Sequence, residues 1–192
     1  MPIFSTRIFR GITLLALFGA GAWATEENRA QNHAVLVCTA MGRDFLVHRA
    51  ETTAAGMFAE IGVQIVWHSD RSCPPDAIRI SFSDRADPHF RPEALAYALP
   101  YEATHIQVFY DRLCQHPTSQ QPALLAHVLV HEITHILQGV SRHSASGIMM
   151  ARWGATEYDD MVFKPLRFTD EDVRLIRLGL QARESRLMAA AE

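Results

Sequence analysis

The 192-residue sequence has only three cysteines and no excess of basic residues. Lys and Arg together number 18 against 21 for Asp and Glu, so the formal charge is −3, which excludes a strongly basic nucleic-acid binder. The cysteines form no Cys-x-x-Cys pair, which argues against a thiolate zinc knuckle or a thioredoxin-type motif. With 48% apolar and 20% charged residues, the composition is that of a globular domain and not of a disordered or collagen-like chain.

Only one long apolar run is present, and it lies at the amino terminus. Arg7 and Arg10 precede an apolar stretch over 12–23, which ends in the pattern Ala22-Trp23-Ala24. The run is shorter than the roughly 20 apolar residues that cross a bilayer. A basic start, a short apolar core and an A-x-A site are typical of a secretory signal peptide. We therefore expect residues 1–24 to be a signal peptide, followed by one exported domain, periplasmic or extracellular, over 25–192.

Three cysteines allow at most one internal disulfide. Cys73 precedes two prolines and Cys114 lies just before His116-Pro117, so both are expected in loops. Cys38 ends an apolar run and is expected to be a buried thiol. The sequence therefore predicts a disulfide between Cys73 and Cys114.

The hydrophobic pattern predicts an α+β domain with its helices against one sheet. A period of three to four residues predicts helices over 44–61, 123–138 and from 169 to the carboxyl terminus. Gly62 and Gly139 would end the first two, and Thr169 with the following acids would cap the third. β-Branched or alternating segments predict strands over 34–38, 63–67, 78–82, 94–99 and 105–110. Residues 140–168 show no clear period and are expected to be irregular.

The second predicted helix carries the sequence His131-Glu132-Ile133-Thr134-His135. Residues four apart lie on the same helix face, so the two imidazoles can bind one metal ion. Imidazole nitrogen is a ligand of Zn²⁺, and a catalytic zinc keeps one of four positions for water, whose pKa it lowers toward roughly 7. Glu132 can take the proton of that water. The motif therefore predicts a hydrolytic zinc site with His131 and His135 as ligands and Glu132 as the general base.

A third ligand is expected from the chain beyond the helix. Gly139 lets the chain bend back, so His143 can reach the metal and is the predicted third ligand. Acids from the following segment are the alternative ligands, and two of them could instead support a ligand histidine from behind. These acids are Glu157, Asp159 and Asp160.

Three residues near the motif are expected to act by packing. His127 lies one turn before His131, but its Cα would be about 12 Å from that of His135, so we expect it to pack or hydrogen-bond. Met149 follows a glycine turn and is expected to pack beneath the metal, and Trp153 is expected in the core.

These residues resemble the motif of the zincin metallopeptidases, and of the metzincin branch in particular. Metzincins read His-Glu-x-x-His-x-x-Gly-x-x-His, followed by a methionine turn, whereas here Gly139 lies one place late and His143 two places late. The stretch 131–153 looks still more like a group of small secreted bacterial zincin-like proteins, mostly of unassigned function. The segments similar to that group also include 62–67, 108–112 and 168–169.

The resemblance implies a zincin fold, bound zinc and proteolysis. The ligand helix would lie beside a small mixed sheet, with a long amino-terminal helix, a methionine-turn-like loop at Met149 and a carboxyl-terminal helix. Tyr158 would stabilise an oxyanion, as tyrosines do in some metzincins, although a packing role is an equal alternative. In the gluzincin branch a downstream glutamate is the third ligand, which keeps Glu157 open.

The predicted function is that of an exported zinc-dependent metallopeptidase acting on a peptide or protein substrate. An extended peptide would add to a sheet edge near the ligand helix, over 94–99 or 105–110. Two other functions stay open: a non-catalytic zincin-like module that binds zinc or a partner, and a zinc hydrolase of non-peptide amides or esters. A fourth protein ligand on zinc would favour the non-catalytic module.

Overall fold

Five strands form one mixed sheet on which the helices pack. A computed structural model describes residues 33–40, 44–99 and 104–190, so the predicted signal peptide lies outside the described residues. The strands are β1 (His33–Thr39), β2 (Val63–Ser69), β3 (Ile78–Ser83), β4 (Ala96–Ala98) and β5 (His105–Phe109). Their order is β2-β1-β3-β5-β4, and all neighbours are parallel except β4, which runs antiparallel to β5 at the edge.

Local sequence signals account for where the helices begin and end. The helices are α1 (Phe45–Ala59), α2 (Tyr110–Leu113), α3 (Gln121–Gln138), α4 (Ala155–Phe163) and α5 (Asp170–Ala190). Asp44 caps α1 by accepting a hydrogen bond from the backbone N–H of Leu46 at 2.8 Å. Pro122 lies in the first turn of α3, and Gly139 ends that helix with φ of 67°. None of the helices in the described ranges is both long enough and apolar enough to cross a membrane.

One hydrophobic core lies between the sheet and helices α1 and α3. Successive side chains of a strand point to opposite faces, and the inward face of three parallel strands supplies Val35, Val37, Ile78, Ile80, Ile106 and Val108. The helices contribute Ala50, Ala54, Phe58, Leu125, Leu129 and Ile133. Helix α5 packs against α3 through Ile176 and Leu180. Helix α3 is therefore enclosed by the sheet, α1 and α5.

The predicted α+β class, the three long helices and the five strands are confirmed, with shifted ends. The expectation of an irregular segment over 140–168 is wrong at 155–163, where α4 forms. That helix has nine residues, of which Met161 alone is fully buried, so it leaves little periodicity in the sequence. The strand predicted over 105–110 ends at Phe109, because α2 begins at Tyr110, and the strand predicted over 94–99 pairs only over Ala96–Ala98.

The expected disulfide between Cys73 and Cys114 is wrong, because Cys73 bonds to Cys38. In the parallel pair of β1 and β2, Cys38 lies opposite His68. A 3-10 turn at Asp70–Ser72 then brings the chain back, so the two Cα atoms are 5.8 Å apart, which suits a disulfide. Cys38 is buried as expected but is not a thiol, and Cys114 is free and exposed. The pairing follows from strand register, which sequence spacing does not reveal.

Gly179 of α5 lies against the carboxyl-terminal end of α3. A Cβ atom at this position would overlap with the backbone carbonyl oxygen of Leu137. Because a backbone carbonyl cannot rotate away, we expect Gly179→Ala to lower the free energy of unfolding by about 2 kcal/mol or more. Urea denaturation measures the change.

Gly56→Ala in α1 is the matched control for this substitution. Nothing lies within 4 Å of a Cβ added at Gly56. Alanine favours a helix over glycine by up to about 1 kcal/mol, so this variant should be as stable as the wild type or more stable. Equal unfolding midpoints for the two variants would contradict the close approach of α5 to α3.

Candidate metal centre

Three residues of the predicted site lie on one stretch of α3. His131, Glu132 and His135 expose only 8%, 8% and 6% of their surface. Helix α3 is buried on nearly all sides by the sheet, α1 and α5, which removes the motif from solvent. The two imidazoles lie one turn apart, as the i, i+4 spacing requires.

His143 joins these two histidines to form a group of three imidazoles. The chain bends back after Gly139, and the ring centroid of His143 lies 5.2 Å from that of His131 and 5.0 Å from that of His135. One ligand nitrogen from each ring lies within 4.8 Å of the other two. His143 is exposed, unlike the other two. Within the described residues, this is the one cluster of metal-ligating side chains with three members.

Backbone carbonyls determine which nitrogen of two imidazoles carries the proton. Nδ1 of His131 lies 2.9 Å from the carbonyl oxygen of Ile148, and Nδ1 of His135 lies 3.1 Å from that of Val140. A carbonyl oxygen only accepts hydrogen bonds, so Nδ1 is the donor in both rings and Nε2 keeps its lone pair. The two Nε2 atoms face each other at 3.1 Å. Two lone pairs at this distance repel each other unless a cation lies between them.

The separation and protonation of these imidazoles fit zinc. Two ligands at about 2.0–2.1 Å from a tetrahedral Zn²⁺ lie roughly 3.3 Å apart, close to the observed 3.1 Å. Burial lowers the pKa of His131 to about 3, assisted by His135, and burial lowers the pKa of His135 to about 4. Burial also lowers the pKa of His143. All three imidazoles are thus neutral near pH 7, which is the form that binds a metal.

The carboxyl group of Glu132 contacts the edge strand of the sheet. It accepts a hydrogen bond from the backbone N–H of Ala98 in β4. Burial raises the pKa of Glu132 to about 8, and the hydrogen bond offsets this rise only in part. A buried carboxyl of raised pKa has the proton affinity that a general base needs, and a cation on the adjacent imidazoles would favour its ionised form.

The turn that carries Met149 is held against the chain that follows α4. Met149 is fully buried, and its carbonyl oxygen accepts a hydrogen bond from the N–H of Ser144 at 2.7 Å. The N–H of Ile148 donates to the carbonyl of Arg167 at 2.9 Å. Gly147 has φ of 77°, and a Cβ there would overlap with the same carbonyl, so the turn requires glycine. The role of Met149 as packing beneath a metal stays a prediction.

Two of the three acids considered as alternative third ligands are engaged elsewhere, and none lies in the histidine cluster. Glu157 accepts a hydrogen bond from the N–H of Gly154 at 2.7 Å and caps α4. Asp159 accepts one from the side chain of Gln120 at 3.3 Å. Neither these two nor Asp160 belongs to the metal-ligating cluster of the described residues.

Two other residues singled out in the sequence make contacts with partners other than the three histidines. The ring of Tyr158 packs on His116 at 5.1 Å, and its role as an oxyanion stabiliser stays a prediction. His127 is fully buried, with Nδ1 donating to the carbonyl of Ala123 at 2.7 Å and Nε2 accepting from the N–H of Leu166 at 3.0 Å. The expectation that His127 packs and hydrogen-bonds is confirmed.

Trp153 packs against the core as expected, and it also touches the site. Its ring meets the ring of His131 edge-on, at 5.4 Å and 86°. A similar contact at 6.4 Å joins it to His127. The indole therefore restricts the side-chain torsion angles that His131 can adopt.

Asp172 positions the loop of the third histidine, a role that the sequence analysis missed. It is fully buried in the first turn of α5. Its Oδ1 accepts hydrogen bonds from Arg142 at 2.8 Å and Ser144 at 2.6 Å, the two neighbours of His143, and Oδ2 accepts one from the Thr169 hydroxyl at 2.6 Å. Burial alone would raise the pKa of Asp172, but these hydrogen bonds outweigh burial and lower it. The only sequence signal was the helix cap at 169–172.

Comparisons with known proteins place this fold among solved structures. No protein-family model and no curated protein matches the sequence. Archaemetzincin from Methanopyrus kandleri matches with a TM-score of 0.55 at 12% identity, over 80% of this chain and 98% of that one. Archaemetzincin from Archaeoglobus fulgidus, in complex with malonate, matches with a TM-score of 0.50 at 13% identity, over 74% and 99%. The fold is zincin-like. At these identities the likeness concerns the fold alone.

Asp172→Asn tests the anchoring of the histidine loop. The substitution removes the charge that pairs with Arg142 but keeps the size of the side chain. We expect it to lower the free energy of unfolding at pH 7 by about 2–3 kcal/mol. Asp170→Asn, at an exposed position of the same helix turn, is the control and should change stability little.

The pH dependence of this difference follows from the lowered pKa of Asp172. A carboxyl whose pKa is depressed by folding contributes stability above its unfolded pKa of about 3.9, and the contribution is lost as the pH falls through the folded value. The difference between wild type and Asp172→Asn should therefore shrink below about pH 4. Thermal unfolding from pH 7 to pH 3 measures it, and a constant difference would contradict the argument.

Proposed function

We propose that this protein is an exported zinc-dependent peptidase. The observation that carries the proposal is the pair of facing Nε2 lone pairs on His131 and His135, with His143 beside them and a buried carboxyl next to them. A structural zinc site is closed by four protein ligands, whereas a catalytic site has three. The cluster in the described residues has three members, which supports a catalytic site.

Each residue of the site has a distinct part in peptide hydrolysis. His131, His135 and His143 would hold Zn²⁺, which would supply polarisation of the peptide carbonyl and a lower pKa of water. Glu132 takes a proton at its carboxylate and returns it to the leaving amine. The N–H of Ala98 orients that carboxylate, and the carbonyls of Ile148 and Val140 orient the two buried imidazoles.

The edge strand β4 offers backbone groups to an extended peptide. Leu95 and Leu99, which flank the strand, form backbone hydrogen bonds with β5 at 2.8 and 3.2 Å. Hydrogen-bonded positions alternate in an antiparallel pair, so Ala96 and Ala98 direct their backbone groups to the outer side of the edge. Because Ala98 contacts Glu132 there, a peptide that pairs with this edge passes beside the proposed base.

The disulfide between Cys38 and Cys73 supports the export part of the proposal. Disulfides form and persist in oxidising compartments and are rare in the cytosol. Under this proposal residues 1–24 are removed as a signal peptide, and residues 25–192 act as one catalytic domain in the periplasm or outside the cell.

Glu132→Gln separates metal binding from hydrolysis. The amide keeps the size of the side chain but cannot take a proton, so we expect unchanged zinc content and a loss of peptidase activity of about 100- to 10,000-fold. Zinc is measured by atomic absorption and activity with a mixture of fluorogenic peptides. Glu60→Gln, at an exposed position after α1, is the matched control and should keep full activity.

The outcomes of this experiment distinguish the proposed function from the others that the sequence left open. Full activity in Glu132→Gln would show that another residue is the base. If the zinc-loaded wild type cleaves esters or non-peptide amides but no peptide, the protein is a hydrolase of those compounds and not a peptidase. A zinc-loaded wild type that cleaves none of these compounds would overturn the proposal in favour of a binding module.

His143→Ala tests the third ligand. Because His143 is exposed, the change should leave the fold intact, and loss of one of three ligands should reduce bound zinc well below one equivalent per chain. His48→Ala, an exposed histidine on α1, should retain a full equivalent. Equal zinc content in the two dialysed variants would move the third ligand to another residue.

A further inference from the structure

An aromatic cluster lies on the face of the sheet opposite the two core helices. The rings of Phe90 and Tyr97 stack at 4.5 Å with an angle of 19° between their planes. Phe109 lies beneath both, at 5.1 Å from Phe90 and 5.9 Å from Tyr97, and it is fully buried. Phe90 and Tyr97 are only half-buried. We call these two half-buried rings the aromatic platform.

The aromatic platform is held in place by Arg112 of α2. Its guanidinium donates hydrogen bonds to the carbonyls of Arg91 and Ala94, both at 2.6 Å, and lies 4.9 Å from the ring centroid of Phe109. These contacts hold the Phe90 loop against the end of β5. A ring held on both sides loses little conformational freedom when a ligand binds.

The platform adjoins polar side chains on the same face of the sheet. Next to Tyr97 on the same face lies Gln107, its partner in β5, whose side chain accepts a hydrogen bond from Ser81 at 2.7 Å. His105 lies two residues before Gln107 and is exposed. Phe90 and Tyr97 stay partly exposed at the edge of the sheet, so the platform offers apolar surface to a ligand.

Strand geometry places this surface beside the proposed peptide path. A peptide paired with the outward N–H and carbonyl of Ala96 and the outward carbonyl of Ala98, whose N–H stays with Glu132, presents alternate side chains to the two faces of the sheet. One of them lies directly beside Tyr97, within the 4.5–5.5 Å that separates the Cβ atoms of cross-strand neighbours. That side chain would contact Tyr97 first and Phe90 next.

We propose that Phe90 and Tyr97 form a specificity subsite that selects an aromatic side chain on the peptide, at one fixed distance from the cleaved bond. The inference rests on the proposed peptidase function and names its substrate class: extended peptides with an aromatic residue at that position. Phe90 and Tyr97 contact the substrate, and Arg112 is a positioning residue that acts through them.

The test uses a set of peptides with one cleavage site. In each pair of peptides a single position near that site carries either Phe or Ala. With zinc-loaded wild type, one position should show a preference for Phe of about fivefold or more in kcat/KM, the range expected of an aromatic pair. Tyr97→Thr keeps a strand-forming residue and Phe90→Ser changes only the loop, and both should reduce this preference below about twofold. Tyr97→Phe should retain it.

Phe45→Ser is the control, since that ring is 74% exposed on α1, away from β4. It should keep the preference, and circular dichroism confirms that each variant is folded. Binding of the same peptides to the zinc-loaded Glu132→Gln variant, measured by fluorescence anisotropy, should show the same preference at the same position.

The possible outcomes test the subsite and the peptidase function separately. Cleavage with no Phe preference at any position, or a preference unchanged in Tyr97→Thr and Phe90→Ser, overturns the subsite and leaves the peptidase. Binding that favours Phe and depends on the platform, without cleavage by the wild type, supports the subsite and overturns the peptidase. Absence of both binding and cleavage overturns both.

Discussion

The burial of helix α3 is the constraint on which the site depends. A polar group that is removed from water must find a partner inside the protein. The two buried imidazoles of the motif find theirs in the carbonyls of Ile148 and Val140, and His127 pairs with the N–H of Leu166. The chain beyond α3 has few strong packing signals of its own. These hydrogen bonds therefore attach it to the helix, and they leave the lone pairs on Nε2 of His131 and His135 available.

A buried charge provides the second anchor of the same segment. Asp172 accepts hydrogen bonds from both neighbours of His143, so the exposed third histidine is held through its flanking residues and not through its own ring. The carboxylate is ionised although it is buried, because four hydrogen bonds compensate for the lost water. Helix α5 thus serves the site without contributing a ligand to it.

The sheet contributes its edge to the site. Glu132 accepts a hydrogen bond from β4, the strand that runs antiparallel to its neighbour, so the proposed base contacts the proposed peptide-binding edge. The small side chains of Ala96 and Ala98 face α3, where they allow the strand to approach the helix, and Tyr97 faces the opposite side. A zincin-like fold can host other activities, and the contact between Glu132 and β4 adds to the histidine cluster as support for peptide hydrolysis.

The sequence by itself determined the ligand helix and its two histidines, because i, i+4 spacing and helical periodicity are local properties. It also predicted that the chain brings His143 back to these two histidines, since Gly139 ends the helix four residues earlier. Only the tertiary structure decided that Glu157 and Asp159 are engaged elsewhere, that Cys38 is the partner of Cys73, and that Asp172 holds the histidine loop. Each of these depends on contacts between segments distant in sequence, which strand register and helix packing bring together and which no local pattern encodes.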